Sequence, residues 1–304
     1  MPLDPAAQVV LDMVAAAGNP PLEDMTAGQA REAFAPLALL QGDAPEGIRV
    51  EQREIAGVPC EVVNLPGTGP RPVLIWIHGG GWVIGTAAES SITCQRLAAG
   101  AGCVVVNVDY RLAPEHPFPA APEDCTAVTR WVLEHAAELD GDPARVAIGG
   151  DSAGGNLSAV VANEVPGLIL QLLVYPATDL TFSSPSIEEN GEGYLLTRAD
   201  MEWSVGHYLS GGGDPKDARL SPLHADDTVI AGAPPALVIT AEFDPLRDEG
   251  EAYAARLAEA GVAVSTTRYD GQIHAFFTLP AVLPAAVPAQ AEAITALRAA
   301  FGSA

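Results

Sequence analysis

The sequence predicts an α/β fold in which a mostly parallel sheet is covered by helices on both faces. Three observations carry that prediction. Almost continuously apolar runs, such as Val73-Leu74-Ile75-Trp76-Ile77 and Cys103-Val104-Val105-Val106-Asn107-Val108, read as strands buried on both sides. Helical patterns separate these runs in the rhythm of strand–helix–strand units. The residues able to do chemistry fall just past strand ends, where open α/β sheets gather their functional groups.

Composition narrows the class. The 304 residues are 48% hydrophobic, enough to bury a large core, and a single domain spanning 1–304 is expected. Acidic residues outnumber basic ones 39 to 15, and the net charge of −24 makes nucleic acid and anionic lipid poor partners. The start, Met1-Pro2-Leu3-Asp4-Pro5, has no basic region ahead of an apolar run, which speaks against a secretory signal. No apolar stretch is long enough for a membrane span. Four scattered cysteines (Cys60, Cys94, Cys103, Cys125) without a Cys-x-x-Cys pair read as buried free thiols of a cytoplasmic protein.

Taken in order, residues 1 to about 45 read as two amphipathic helices, the first stopped by Gly18-Asn19-Pro20-Pro21 and the second running from about Thr26 to Leu40. Strands Ile48–Ile55 and Cys60–Leu65 flank a hairpin signal at Ala56-Gly57-Val58-Pro59. After strand 73–77 come a helix from Ser90 to Gly100, strand 103–108, a Pro-rich loop and a long helix from about Pro122 to Leu139. A short strand at Val146–Ile148 leads into a helix beginning at Ala153. Leu168–Val174 is the next strand, and there the rhythm breaks. A structureless loop over about 181–233 would be unusual in a compact domain, so an inserted helical cap is predicted, completed by residues 1–45. Strand Ala236–Phe243, a helix from Asp248 to Ala260, strand Val264–Tyr269 and a helix from about Val287 to Phe301 finish the chain.

Between strand 146–148 and its helix sits Gly150-Asp151-Ser152-Ala153-Gly154. A serine on so sharp a strand-to-helix turn is lifted clear of the sheet, and the flanking glycines let neighbouring backbone pass closely. Serine is a poor nucleophile at neutral pH and needs a base, itself oriented by an acid. Asp244 directly follows strand 236–243, and His274 follows the last strand. Asp248 and Asp179 are rivals for the acid; Asp248 opens a helix, where capping explains it, and Asp179 stands at the entrance to the insertion. His116, His135, His207 and His224 follow no strand end. The run His78-Gly79-Gly80-Gly81 after a buried strand suits backbone donation to a developing oxyanion, with Gly80 and Gly81 joined by the Ala153 N–H. His78 is then expected to organise the loop.

These motifs, with Asp109-Tyr110-Arg111-Leu112-Ala113-Pro114-Glu115 and Asp244-Pro245-Leu246-Arg247-Asp248-Glu249-Gly250, resemble the bacterial hormone-sensitive-lipase-like (family IV) carboxylesterases of the α/β-hydrolase fold. The resemblance spans nearly the whole chain. It implies a serine carboxylesterase acting on short- to medium-chain acyl esters without metal or cofactor, a cap over the site, and a homodimer formed through edge strand Val264–Tyr269. The chain departs from the family in one place: Ala275 stands where a glycine usually follows the histidine. Two other readings share the fold, a non-catalytic small-molecule-binding protein and a serine amidase or peptidase. The first would be expected to lack the histidine that this chain keeps.

Overall fold

The computed structural model of the protein describes residues 1–67 and 69–302. Helix α1 (Pro5–Ala17) starts on Asp4, whose side chain accepts the Ala6 N–H, and stops at left-handed Gly18. Helix α2 (Ala27–Phe34) opens with a reciprocal Thr26–Gln29 capping box. It ends earlier than the apolar pattern suggests, and Ala35–Gln41 continue as a tighter turn. Pro36 is the physical reason, since it lacks the N–H an α-helix interior requires.

Strands β1 (Arg49–Ile55) and β2 (Val58–Asn64) form a hairpin whose two-residue turn, Ala56-Gly57, has positive φ at both positions, the backbone that matches strand twist. Then come β3 (Arg71–Ile77), α3 (Ala87–Ala101), β4 (Val104–Val108), α4 (Ala120–His135), β5 (Gly141–Asp151), α5 (Ala153–Glu164) and β6 (Gln171–Val174). The expected helix to Leu139 stops at His135, with a tight turn covering Ala136–Leu139. Strand β6 is shorter than its apolar run, because continuous pairing with both neighbours begins only at Gln171. The insertion carries α6 (Pro185–Asn190), α7 (Arg198–Tyr208) and α8 (Asp227–Ile230). The chain closes with β7 (Ala236–Phe243), α9 (Arg247–Glu259), β8 (Val264–Ile273) and α10 (Ala286–Phe301).

The eight strands form one sheet in the order β1-β2-β4-β3-β5-β6-β7-β8. Only β2 runs against its neighbours; from β4 to β8 every pair is parallel. Side chains alternate between the two faces, as strand geometry demands. Val73, Ile75 and Ile77 of β3 pack with α4 and α5, whereas Leu74 and Trp76 pack with α1, α3 and α10. Helix α5 is buried along nearly its whole length, so the serine it follows is anchored to the most enclosed helix of the molecule. Strand β8 runs four residues beyond its expected end, past a register shift opposite Ala241–Phe243, and delivers His274 directly at its terminus.

The N-terminal segment divides in two. Ala7 and Val10 of α1 sit in the core beside Phe276 and Phe277, and Asp4 N–H bonds to Gly271 O at 2.9 Å. Residues from Leu22 to Gln41 instead lie over the carboxyl ends of the strands. Arg31 fastens them there, donating to Val83 O (2.8 Å), Ala113 O (2.9 Å) and the Glu115 carboxylate. The insertion meets this segment through Trp203, whose Nε1–H bonds to Met25 O at 3.2 Å.

Candidate active site

Ser152 adopts φ 57° and ψ −120°, a conformation that costs a non-glycine residue about 1–3 kcal/mol and survives only where its surroundings enforce it. Here they do. A Cβ on Gly150 would lie 2.4 Å from Ile77 O, and one on Gly154 would lie 1.9 Å from the same atom. Only glycines let β3 and β5 approach this closely while the chain reverses between them.

Three elements converge on the serine. His274 Nε2 lies 2.9 Å from Ser152 Oγ, and His274 Nδ1 lies 2.7 Å from Asp244 Oδ2. With Nδ1–H donating to the aspartate, Nε2 is left to accept the serine hydroxyl proton. Asp244 is fully buried, and its Oδ1 accepts the Leu246 N–H at 2.9 Å, so both carboxylate oxygens are occupied. The ring of Tyr175 packs 4.7 Å from the imidazole and limits its swing.

The rivals for the acid lie elsewhere. Asp179 accepts from Thr181, Ser183 and His224. Asp248 does not cap its helix, whose N-cap is Leu246; it accepts the Ser186 N–H at 2.9 Å and ties the first turn of α6 to α9. Capping failed as its explanation because the partner comes from the insertion, 62 residues away in sequence.

The glycine run forms a turn in which Val83 and Ile84 N–H donate to Gly80 O. Gly80 and Gly81 have φ of 116° and 58°. Among the described residues, the N–H groups of Gly80, Gly81 and Ala153 donate to no protein acceptor, while all three residues line one cavity with Ser152 and His274. His78 braces the loop from behind. Its Nδ1 bonds to Gly79 O at 2.8 Å, its ring stacks on Tyr110 at 4.4 Å, and burial lowers its pKa. Asp151 joins loop to elbow by accepting the Gly79 N–H at 3.1 Å. Burial pushes the Asp151 carboxyl up to about 6 against the pull of that N–H.

Gly80→Ala would place a methyl 2.0 Å from Ile84 O, at a φ that L-residues avoid. The donor turn must open to admit it. Loss of an oxyanion donor costs about a hundredfold or more in kcat, and that loss is the expected result. An effect confined to KM would count against donation from this loop.

The cavity above the serine measures about 260 Å³. Leu22, Phe34 and Leu37 wall it from the N-terminal segment, and Leu196, Met201 and Val205 from the insertion. Ala275 lines it as well, and holds φ 66°, the left-handed backbone that a glycine would adopt without strain. Two residues that sequence reasoning did not assign to the site also belong to its surroundings, Tyr175 and Glu249. For Glu249 a signal existed: it shares a helical stripe with Tyr253 and Leu257, where an acid is out of place.

A nucleophile elbow at the carboxyl end of a parallel sheet, a histidine and a buried aspartate in relay, and a glycine turn with free N–H groups define a serine hydrolase geometry. The chain belongs to the alpha/beta hydrolase fold family, which it matches over residues 74–278, and within it to the hormone-sensitive-lipase-like carboxylesterases. It is 44% identical to the carboxylic ester hydrolase LipN of Mycobacterium tuberculosis, over 80% of this chain and 67% of that one. It is 35% identical to an ethyl acetate hydrolase of Pseudomonas putida, over 93% and 94% of the two chains. A solved thermostable esterase from Pseudomonas putida superposes with a TM-score of 0.94 at 36% identity, covering 99% of this chain and 98% of the other.

Proposed function

We propose that the protein is a serine carboxylesterase hydrolysing short- to medium-chain acyl esters, with Ser152, His274 and Asp244 as its triad. The observation that carries this reading is the relay of 2.9 and 2.7 Å on the floor of an apolar-walled cavity. The Ser152 oxygen attacks the ester carbonyl as His274 Nε2 takes the hydroxyl proton. The carbonyl oxygen becomes an oxyanion facing the N–H groups of Gly80, Gly81 and Ala153. Asp244 holds the tautomer and steadies the imidazolium. Collapse expels the alkoxide, which receives the proton from His274. A water molecule then repeats the cycle on the acyl-enzyme, releasing the acid and restoring Ser152.

The cap in this reading consists of residues 22–45 and 181–233, with Leu22–Gln41 closing the site; α1, expected to belong to it, packs in the core beside Phe276 and Phe277. Phe34→Ala tests it. The residue is half-buried on the cavity wall, so truncation should widen the acyl channel. Across p-nitrophenyl esters of increasing acyl length, the optimum is expected to move to longer chains, with kcat/KM on the longest active ester raised about threefold. An unchanged profile would remove Leu22–Gln41 from the acyl site. The parent protein in the same series also tests the function itself: binding without turnover on every ester would favour a non-catalytic binding protein, and preference for anilides an amidase.

A homodimer through β8 is part of the proposal. This strand closes one edge of the sheet, and Ser265, Thr266, Arg268 and Asp270 are exposed along it. A cytoplasmic location is supported by four buried cysteines, none of them paired. Among the described residues no helix is long and apolar enough to cross a membrane.

A further inference from the structure

Glu249 is fully buried, yet it belongs to neither the relay nor the donor loop. Its Oε1 accepts two backbone N–H groups, from Thr178 at 2.7 Å and Asp179 at 3.1 Å. Its own backbone carbonyl accepts the Thr178 hydroxyl at 2.7 Å. Three bonds thus clamp one turn of chain, the turn that follows β6 and opens the insertion. That turn touches the elbow directly. Ala177 N–H reaches Ser152 O at 3.4 Å, and Ala177 O accepts from Asn156 of α5 at 2.9 Å. Ala177, Asp179 and Leu180 also line the cavity, as does Glu249 itself.

We propose that Glu249 is a positioning residue for ester hydrolysis, the peg on which the Ala177–Asp179 turn, and through it the Ser152 elbow and one wall of the cavity, is hung. Its surroundings favour the neutral form of the acid. Among the described residues its Oε2 has no hydrogen-bond partner and no cation pairs with it. The titratable groups facing it are Asp179 on the clamped turn and Asp244 at the end of β7, with His224 and His274 one contact further on those two carboxylates. Burial, reinforced by the charges of Asp179 and Asp244, drives its pKa well above the ordinary carboxylate range, against the pull of the two N–H donors. Neutrality has a use here. The clamp needs only an acceptor at Oε1, and the neutral acid supplies it without adding a buried negative charge beside Asp179 and Asp244.

The inference rests on Ser152 being the nucleophile, which covalent labelling of the parent protein by a p-nitrophenyl phosphonate tests separately. Glu249→Gln keeps the acceptor and the shape of the neutral acid; Glu249→Ala removes both. Steady-state kinetics on p-nitrophenyl butyrate are expected to show kcat lowered about tenfold or more in the alanine variant, with KM within about threefold. The glutamine variant should retain at least about a third of the parent kcat, with the acidic limb of its pH–rate profile at the parent's position. A glutamine variant as slow as alanine overturns the proposal. So does an acidic limb displaced to lower pH in the glutamine variant, the signature of a lost negative charge near His274. Full kcat in the alanine variant overturns it too. Should the alanine variant not fold, the kcat and pH profile of the glutamine variant decide alone.

Discussion

Ser152→Ala is expected to lower kcat by about 10⁶, since loss of the nucleophile in a triad hydrolase costs about that much. By transition-state arithmetic the loss is about 8 kcal/mol of barrier. The size follows from what the hydroxyl does: without it no acyl-enzyme forms, and the remaining donors can only assist attack by water. The fold should be indifferent. Alanine carries the same Cβ through the same backbone turn, and among the described residues the hydroxyl's only side-chain bond is to His274. Unfolding temperature is therefore expected within a few degrees of the parent, while labelling by a phosphonate is lost. A folded variant that still turned over esters at the parent rate would reassign the nucleophile.

Asp244→Asn should be the next most damaging substitution. An asparagine keeps the shape but presents an amide N–H where Nδ1–H now donates, which favours the wrong imidazole tautomer and removes the charge that steadies the imidazolium. The corresponding change in a well-studied serine protease costs about 10⁴ in turnover. A loss of at least about a hundredfold is expected here, because Asn can still accept the Leu246 N–H and hold the loop. Asp248→Asn provides the comparison within the same motif. Its carboxylate accepts from Ser186 N–H and Arg247 Nε, both away from the imidazole, so about 1 kcal/mol of stability should go, with little change in turnover. Turnover and unfolding free energy measured on both variants separate the two roles. A larger kinetic loss at Asp248 would reverse them.

Ala275 directly follows His274 in the chain. The turn after β8 must reverse at once to aim His274 at Ser152, and that reversal takes a left-handed residue. A glycine would do so without strain. The alanine here adds a methyl to the cavity lining at a steric cost of about 1 kcal/mol.

What the sequence determined by itself were the features that local chemistry writes into neighbouring residues. Apolar runs of strand length, glycines beside a serine, a glycine turn after a buried strand and polar residues at strand ends each follow from rules that act over a few positions. From them came the parallel core of the sheet, the elbow, the donor loop and the position of His274. The helix ends were less legible wherever a tighter turn extended the apolar period, as after Phe34 and His135. Position at a strand's end and the family motif favoured Asp244 over Asp248 and Asp179, but only the tertiary structure shows the three in place. Asp244 and Asp179 lie in loops and Asp248 in the first turn of α9, and the stacking of β7 beside β8 brings Asp244 to the imidazole. It also decided the division of the N-terminal segment, with α1 drawn into the core by Ala7 and Val10 and Leu22–Gln41 held over the site by Arg31. Glu249 was hidden for the same reason. Its partners are a turn about 70 residues away in the chain, and a hydrogen bond over that separation leaves no periodic trace.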